Sequence, residues 1–383
     1  MKLRMPLKNR YCQWGFFVLV CGGVLVPGNF TPAQEPGVQS LERVKLSADG
    51  QHLVLARSGS LFVPWGFNYD HDSKGLLLED YWDKEWDRVV GDFQEMKALG
   101  ANVVRIHLQV GKFLISPNNA NEANLKKLED LVKLAEETGL YLDITGLGCY
   151  HKQDVPEWYD SLEESERWNA QAFFWQTIAR RVGHSPAVFC YDLMNEPVVP
   201  VGSAQEQGWL VGEPLGGKYF VQRITLEQKE RSRAEIAAAW VKHLHSAIRE
   251  VDKETLITVG LLPGTPDRAD TWSGFRPKDL IPMLDFICVH IYPEAKKVDE
   301  AIQILSHFAV GRPVVIEETF PLHCGTEEFQ KFLEGSRKFA QGWISFYWGT
   351  PIPELRRIND LQSAILAGYL ELWSKLGPSY RRP

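Results

Sequence analysis

Cysteine is sparse in this chain: six in 383 residues, none at a metal-ligand spacing such as C-x-x-C. Four of the six follow residue 33: Cys149, Cys190, Cys288 and Cys324. Cys190 and Cys288 fall inside apolar, strand-like runs, so buried thiols are expected rather than a disulfide framework or a zinc site. An excess of positive charge is also missing. A net charge of -7 and a pI near 5.9 give no general pull toward nucleic acid or an anionic membrane, and neutral or weakly charged substrates fit better. The longest apolar run, Trp14 to Val26, is too short for a confident membrane span. No linker or low-complexity stretch divides the chain after about residue 40, so one domain is expected over 34–383, and a monomer with it.

What is present begins with a leader pattern. Lys2, Arg4, Lys8 and Arg10 precede the apolar run, and Thr31-Pro32-Ala33 ends in small residues that a signal peptidase accepts. Residues 1–33 therefore read as a secretory signal, which implies a secreted or periplasmic protein with no membrane attachment after its removal. A retained anchor is the alternative. Val20 before Cys21 is too large for lipid attachment at that cysteine.

Beyond the leader, helical periodicity and short β-rich runs take turns. "LFVPWGFN" (61–68) is followed by a helix in which Trp86, Val89, Val90, Phe93, Met96 and Leu99 recur at steps of three and four. Gly100 closes it, and "ANVVRIHL" (101–108) follows. The alternation continues through strand-like runs at 140–147, 188–196, 255–261, 286–293, 313–319 and 343–349. Helices are expected over 125–137, 167–182, 230–251, 298–309, 326–340 and 360–375. Eight such units specify a (β/α)8 TIM barrel. "LERVKLSADGQHLVLARSGS" (41–60) reads as a β-hairpin turning at Asp49-Gly50 and closing the barrel bottom.

In such a barrel the chemistry lies at the carboxyl ends of the strands. Strand two ends near Arg105 and His107, strand four in Asn195-Glu196, strand six in His290 and Tyr292, strand seven in Glu317-Glu318, and strand eight in Trp348. Two carboxylates on strands four and seven suit retaining glycoside hydrolysis, in which one acid protonates the leaving oxygen and one anion attacks carbon one. In this order, the strand-two Arg, "NEP", His-x-Tyr, "RPVVIEE" and the late Trp resemble glycoside hydrolase family five over roughly residues 60–350. The resemblance implies a retaining enzyme on β-linked glucan or mannan, with Glu196 as acid/base and Glu318 as nucleophile. It further implies Asn195 at the sugar 2-hydroxyl, Arg105 and Tyr292 on the nucleophile, His290 lining the pocket and Trp348 flooring the reacting subsite. A carbohydrate is the expected partner, with no metal and no cofactor.

Glu317 and Glu318 are neighbours on a strand, so only one is expected to face the pocket. The spacing from Pro313 selects Glu318 by resemblance, leaving Glu317 to pair outside. Strand three departs from the family pattern, with Thr145 in the place of a usual His and His151 six residues on. His107 is open between substrate contact and packing. Trp158, Tyr159, Trp209, Tyr219 and Trp272 are candidate sugar platforms, each weighed against loop packing. The loop at 198–230 is long enough to wall one end of a cleft. Two other functions stand beside the first: a sugar-binding barrel without activity, and a metal-dependent barrel hydrolase. The last would want His-x-His after strand one, where "GFNYDHD" offers His71 alone.

Overall fold

The computed structural model describes residues 40–264, 273–346, 348–358 and 360–381. The expected secretory signal and Trp272 lie outside the described residues. Eight parallel strands close into a barrel: Trp65–Tyr69, Val103–Gln109, Tyr141–Gly148, Val188–Asn195, Leu256–Leu261, Ile287–His290, Val314–Thr319 and Gly342–Ser345, strands one to eight. Each pairs with its sequence neighbours, and strand eight returns to strand one through Trp343↔Trp65 and Ser345↔Phe67. The expected (β/α)8 architecture is thus present.

Helices surround the strands where the sequence has stop and start signals. Asn121 accepts from the backbone N–H groups of Ala123 and Asn124 to open Glu122–Thr138, and Gly139 closes it at a φ of 69° that other residues adopt at a cost. Ser232 and Glu235 form a reciprocal capping box at the start of Arg233–Val251. Strand eight stops at Ser345, four residues short of its expected end. Only a four-residue helix, Pro277–Leu280, separates strands five and six among the described residues.

Val44–Leu46 and Leu53–Leu55 pair antiparallel, as the hairpin reading requires. Gly50, at φ 70°, sits in the turn, whose Ser47 N–H donates to the His52 carbonyl. Val44, Leu53 and Phe62 pack with Val103, Phe189, Phe286, Cys288 and Ile344, so the amino-terminal end of the barrel is stoppered by apolar side chains. Cys190 and Cys288 are buried free thiols there. No helix among the described residues is long and apolar enough to cross a membrane.

Above this apolar floor the interior turns polar. Arg105, Asp143, Asp192 and Glu317 are all fully buried within the barrel. Breaks in the pleat bring them together. Between strands four and five, Thr258 faces Asp192 and Gly260 faces Asn195, so strand four takes three steps for two on its partner. Strand seven carries one extra residue against strand six, where Val289 faces Ile316 and His290 faces Glu318. The same surplus shows against strand eight between Ile316 and Thr319. Each is a β-bulge, which re-aims the side chains beside it.

Candidate active site

Arg105, on strand two, is the hub. One guanidinium nitrogen donates to Glu318 Oε1 at 2.5 Å and to Asn68 Oδ1 at 2.8 Å; the other donates to Asp192 Oδ2 at 2.8 Å and Asn195 Oδ1 at 2.9 Å. Asp192 and Asn195 are three apart and would face opposite ways on an unbroken strand; the strand-four bulge lets both reach the same cation. Burial works against the guanidinium charge, but Glu317, Asp192, Glu318 and Asp143 outweigh it and hold the group above its ordinary range.

Glu196 follows at φ 48°, a left-handed conformation rare for a residue with a side chain, and its N–H donates to the Gly260 carbonyl at 3.0 Å. This turn frees Glu196 from strand alternation, so that Asn195 and Glu196 serve one pocket although they are neighbours. The Asn195 amide also donates to the Phe220 carbonyl at 2.9 Å, which leaves it one hydrogen.

His290 lies between the carboxylates. Its Nδ1 is 2.8 Å from Glu196 Oε1 and 3.5 Å from Glu318 Oε2, and its Nε2 is 3.3 Å from Glu317 Oε2. Tyr292 donates to Glu318 Oε2 at 2.7 Å. Burial alone would depress the imidazole; the Glu318 charge and the bonds to Glu196 and Glu317 push it up to about 10. Burial likewise raises the Glu318 carboxyl against the pull of His290 and Arg105. Its two nearest partners, a guanidinium and a phenol, are the donors an ionised carboxylate takes.

Ligand atoms of Glu196, His290 and Glu318 all lie within 4.8 Å of one another. On distance alone the trio would admit a cation, yet the same atoms are taken by each other, by Arg105 and by Tyr292. The separation of the two carboxylates fits a double displacement, which wants about 5–5.5 Å, better than the wider gap that admits a water.

The expected residues Arg105, Asn195, Glu196, His290, Tyr292 and Glu318 therefore meet at one place. Two expectations need correction. Glu317 does not turn outward: the strand-seven bulge brings it fully inside, 3.6 Å from Arg105 and in contact with His290. Trp348 has no exposed surface, and its ring packs edge-on against Phe67 at 5.5 Å, so it presents no face to a sugar. Strand eight ends early, and the aromatic just past its end is Phe346. That ring lies 6.2 Å from Tyr292, 6.3 Å from Phe220 and 6.4 Å from His71.

Thr145 is spent on Asp192, to which its hydroxyl donates at 2.8 Å. His151 pairs with Asp154 at 3.4 Å and does not join the site. His107 is buried, and burial together with Arg105 keeps its imidazole neutral. Its Nε2–H donates to Asn68 Oδ1 at 3.1 Å, so its Nδ1 accepts the Tyr150 hydroxyl at 2.5 Å. His107 is thus a packed link between Tyr150 and the Arg105 hub. Tyr159 and Trp209 sandwich the Arg167 guanidinium at 3.6 and 4.0 Å, with Trp158 edge-on to Tyr159 at 5.6 Å; all three are loop packing. Tyr219 is half-buried and its N–H donates to the Tyr150 carbonyl at 2.9 Å.

The sequence profile of the cellulase family, glycosyl hydrolase family 5, matches residues 73–320. A probable mannan endo-1,4-β-mannosidase C of Aspergillus terreus is 22% identical over 317 residues, 74% of this chain and 72% of that protein. Among solved structures, an exo-β-1,4-mannosidase from Opitutaceae bacterium strain TAV5 is similar with a TM-score of 0.65 and 18% identity over 88% of this chain. The match spans 63% of that protein's length. An endo-1,4-β-mannanase from Rhizomucor miehei is similar with a TM-score of 0.58 and 18% identity, over 87% of this chain and 99% of that one.

Proposed function

We propose, from the premise that this chain belongs to glycosyl hydrolase family 5, that it hydrolyses β-linked mannan or glucan chains with retention of anomeric configuration. Glu318 is the nucleophile at the anomeric carbon; Glu196 protonates the leaving oxygen and then activates the water that releases the sugar. The observation that carries this reading is the closeness of the two carboxylates, with Glu318 gripped by Arg105 and Tyr292. The mannan-directed names of the similar proteins make β-1,4-mannan oligosaccharides the first substrates to try. The leader pattern adds a secreted or periplasmic setting.

Substrate length follows from the loop 199–231. It is tied down by the Gln222 side chain, which donates to the Leu147 carbonyl at 3.0 Å, and by the Tyr219–Tyr150 backbone bond. Phe220 and Phe346 then meet edge to face at 6.3 Å, one beside Asn195 and the other beside Tyr292. A wall of that kind beside the catalytic groups would favour chain ends and short oligosaccharides.

Azide tests the roles. An activated aryl oxygen departs without an acid, so Glu196→Ala should still form glycosyl-enzyme from a dinitrophenyl β-glycoside and accumulate it. Added azide should restore turnover and give the β-glycosyl azide. An α-azide from this variant would mean that the two glutamates are reversed. Glu318→Ala should abolish turnover of every substrate tested.

A further inference from the structure

Double displacement leaves no part for Glu317, yet the fold goes to some length to hold it under the pocket. A bulge registered against both neighbouring strands turns it inward. Gly260, on strand five, clears the space: a Cβ there would stand 3.0 Å from His290 Nε2, 3.2 Å from Arg105 and 3.2 Å from Glu317 Oε2.

We propose that Glu317 is a positioning residue that acts through His290: by accepting the Nε2 proton it fixes the imidazole so that one further proton is kept at the contact between Nδ1 and Glu196 Oε1. The proposal rests on the reading of Glu196 as acid/base.

The argument is one of proton counting. Nε2 faces a carboxylate, and a bare ring nitrogen there would set lone pair against lone pair, so Nε2 carries a hydrogen. Nδ1 faces a second carboxylate at 2.8 Å, and the same repulsion requires a proton between those two atoms, on the ring or on Glu196. Burial opposes the Glu317 charge, but Arg105 and His290 overcome it and take its carboxyl down to about 2, so it remains an anion through the working range. The titratable and charged groups facing His290 and Glu317 are Glu196, Glu318, Arg105, Asp143, Asp192, His107 and the thiols of Cys190 and Cys288, both raised by burial. Asp143 is held well above the ordinary carboxyl range, by burial and then by the Glu317 charge, and faces Glu317 as a neutral acid. During cleavage the stored proton passes to the leaving oxygen, leaving ionised Glu196 against a bare Nδ1 while Nε2 keeps its hydrogen; that lone-pair repulsion makes the contact a strong base for the attacking water. The attacking water returns one proton to the same contact, and the cycle balances.

A negative charge beneath the pair makes it harder to deprotonate. Glu317→Gln should therefore move the alkaline limb of kcat/KM on a β-1,4-mannotriose substrate downward by about one pH unit or more. Limiting rates on a dinitrophenyl glycoside, which needs no acid, should lack this shift. Glu317→Asp, which keeps the charge, should bring the limb back toward the original. A uniform loss at every pH with the limb unmoved would overturn the proposal, since a purely structural role does that. Should the variants fail to fold, imidazole nitrogen NMR on the unaltered protein decides: His290 Nε2 should show the shift of a protonated nitrogen at neutral pH, and an unprotonated Nε2 overturns the idea. If azide fails to rescue Glu196→Ala while His290 keeps its protonated signature, the acid/base reading has failed and not the Glu317–His290 link.

Discussion

Gly260 shows how a site is built by omission. Its missing side chain lets a cation, an imidazole and a carboxylate converge, and its N–H and C=O are engaged as well, by Asp192 Oδ1 at 2.7 Å and by the Glu196 N–H. Gly260→Ala would force three polar groups, each within 3.2 Å of the new carbon, to give way. Since displacement of about 1 Å can cost ~100-fold, kcat should fall by one to two orders of magnitude, roughly. Thermal stability should fall by about 1–3 kcal/mol, as overpacking does. The aromatic residues after strand eight give a sharper contrast. Trp348 is core, so Trp348→Ala should cost about 3–5 kcal/mol in denaturant unfolding. Phe346→Ala should leave stability nearly alone and raise KM. The opposite pattern would restore Trp348 as the sugar platform.

Helices and strands were readable because their periods differ. The core face of Trp86–Ala98 holds Val89, Phe93 and Met96, which recur at the expected steps. Strand-end residues could be found because a barrel strand places its last residues at the rim. What composition does not record is a break in the pleat. "VVIEET" carries no mark that residue 317 is surplus to its neighbours' register, so alternation sent Glu317 the wrong way. The hydroxyl of Tyr150 and the rings of Phe220 and Phe346 belong to loops, where a side chain's direction depends on contacts far away in sequence. The loop itself makes a prediction at this scale. If the Phe220–Phe346 pair walls the site, Phe220→Ala should open it, so that digestion of a reduced mannohexaose passes from stepwise release of short products to a ladder of intermediate lengths. An unaltered product series would separate chain-end action from this contact.

Across the whole molecule the barrel interior is divided: apolar from the hairpin stopper up to about the middle, charged from Arg105 to the mouth. The charged half ties stability to pH. The imidazole of His290 is raised in the folded protein, to about 10, from an ordinary value near 6.5. A group raised on folding contributes fully below its unfolded value, and the contribution disappears as pH rises through the folded one. The window is therefore roughly pH 6.5 to 10. Glu317 runs the other way: lowered to about 2, it contributes fully above about 4.5 and its share is lost as pH falls toward 2. Asp143 and Asp192, both raised chiefly by burial, offset part of that acid loss by gaining protons in the folded state. The alkaline side is thus the cleaner test. Unfolding free energies measured in urea at about pH 6 and about pH 10 should differ by on the order of a few kcal/mol more in the unaltered protein than in His290→Gln. Equal slopes would mean that the imidazole enters the folded state uncharged. Glu196 and His290 would then share their proton with the carboxylate as its chief owner, and alkaline loss of activity should run ahead of any loss of fold.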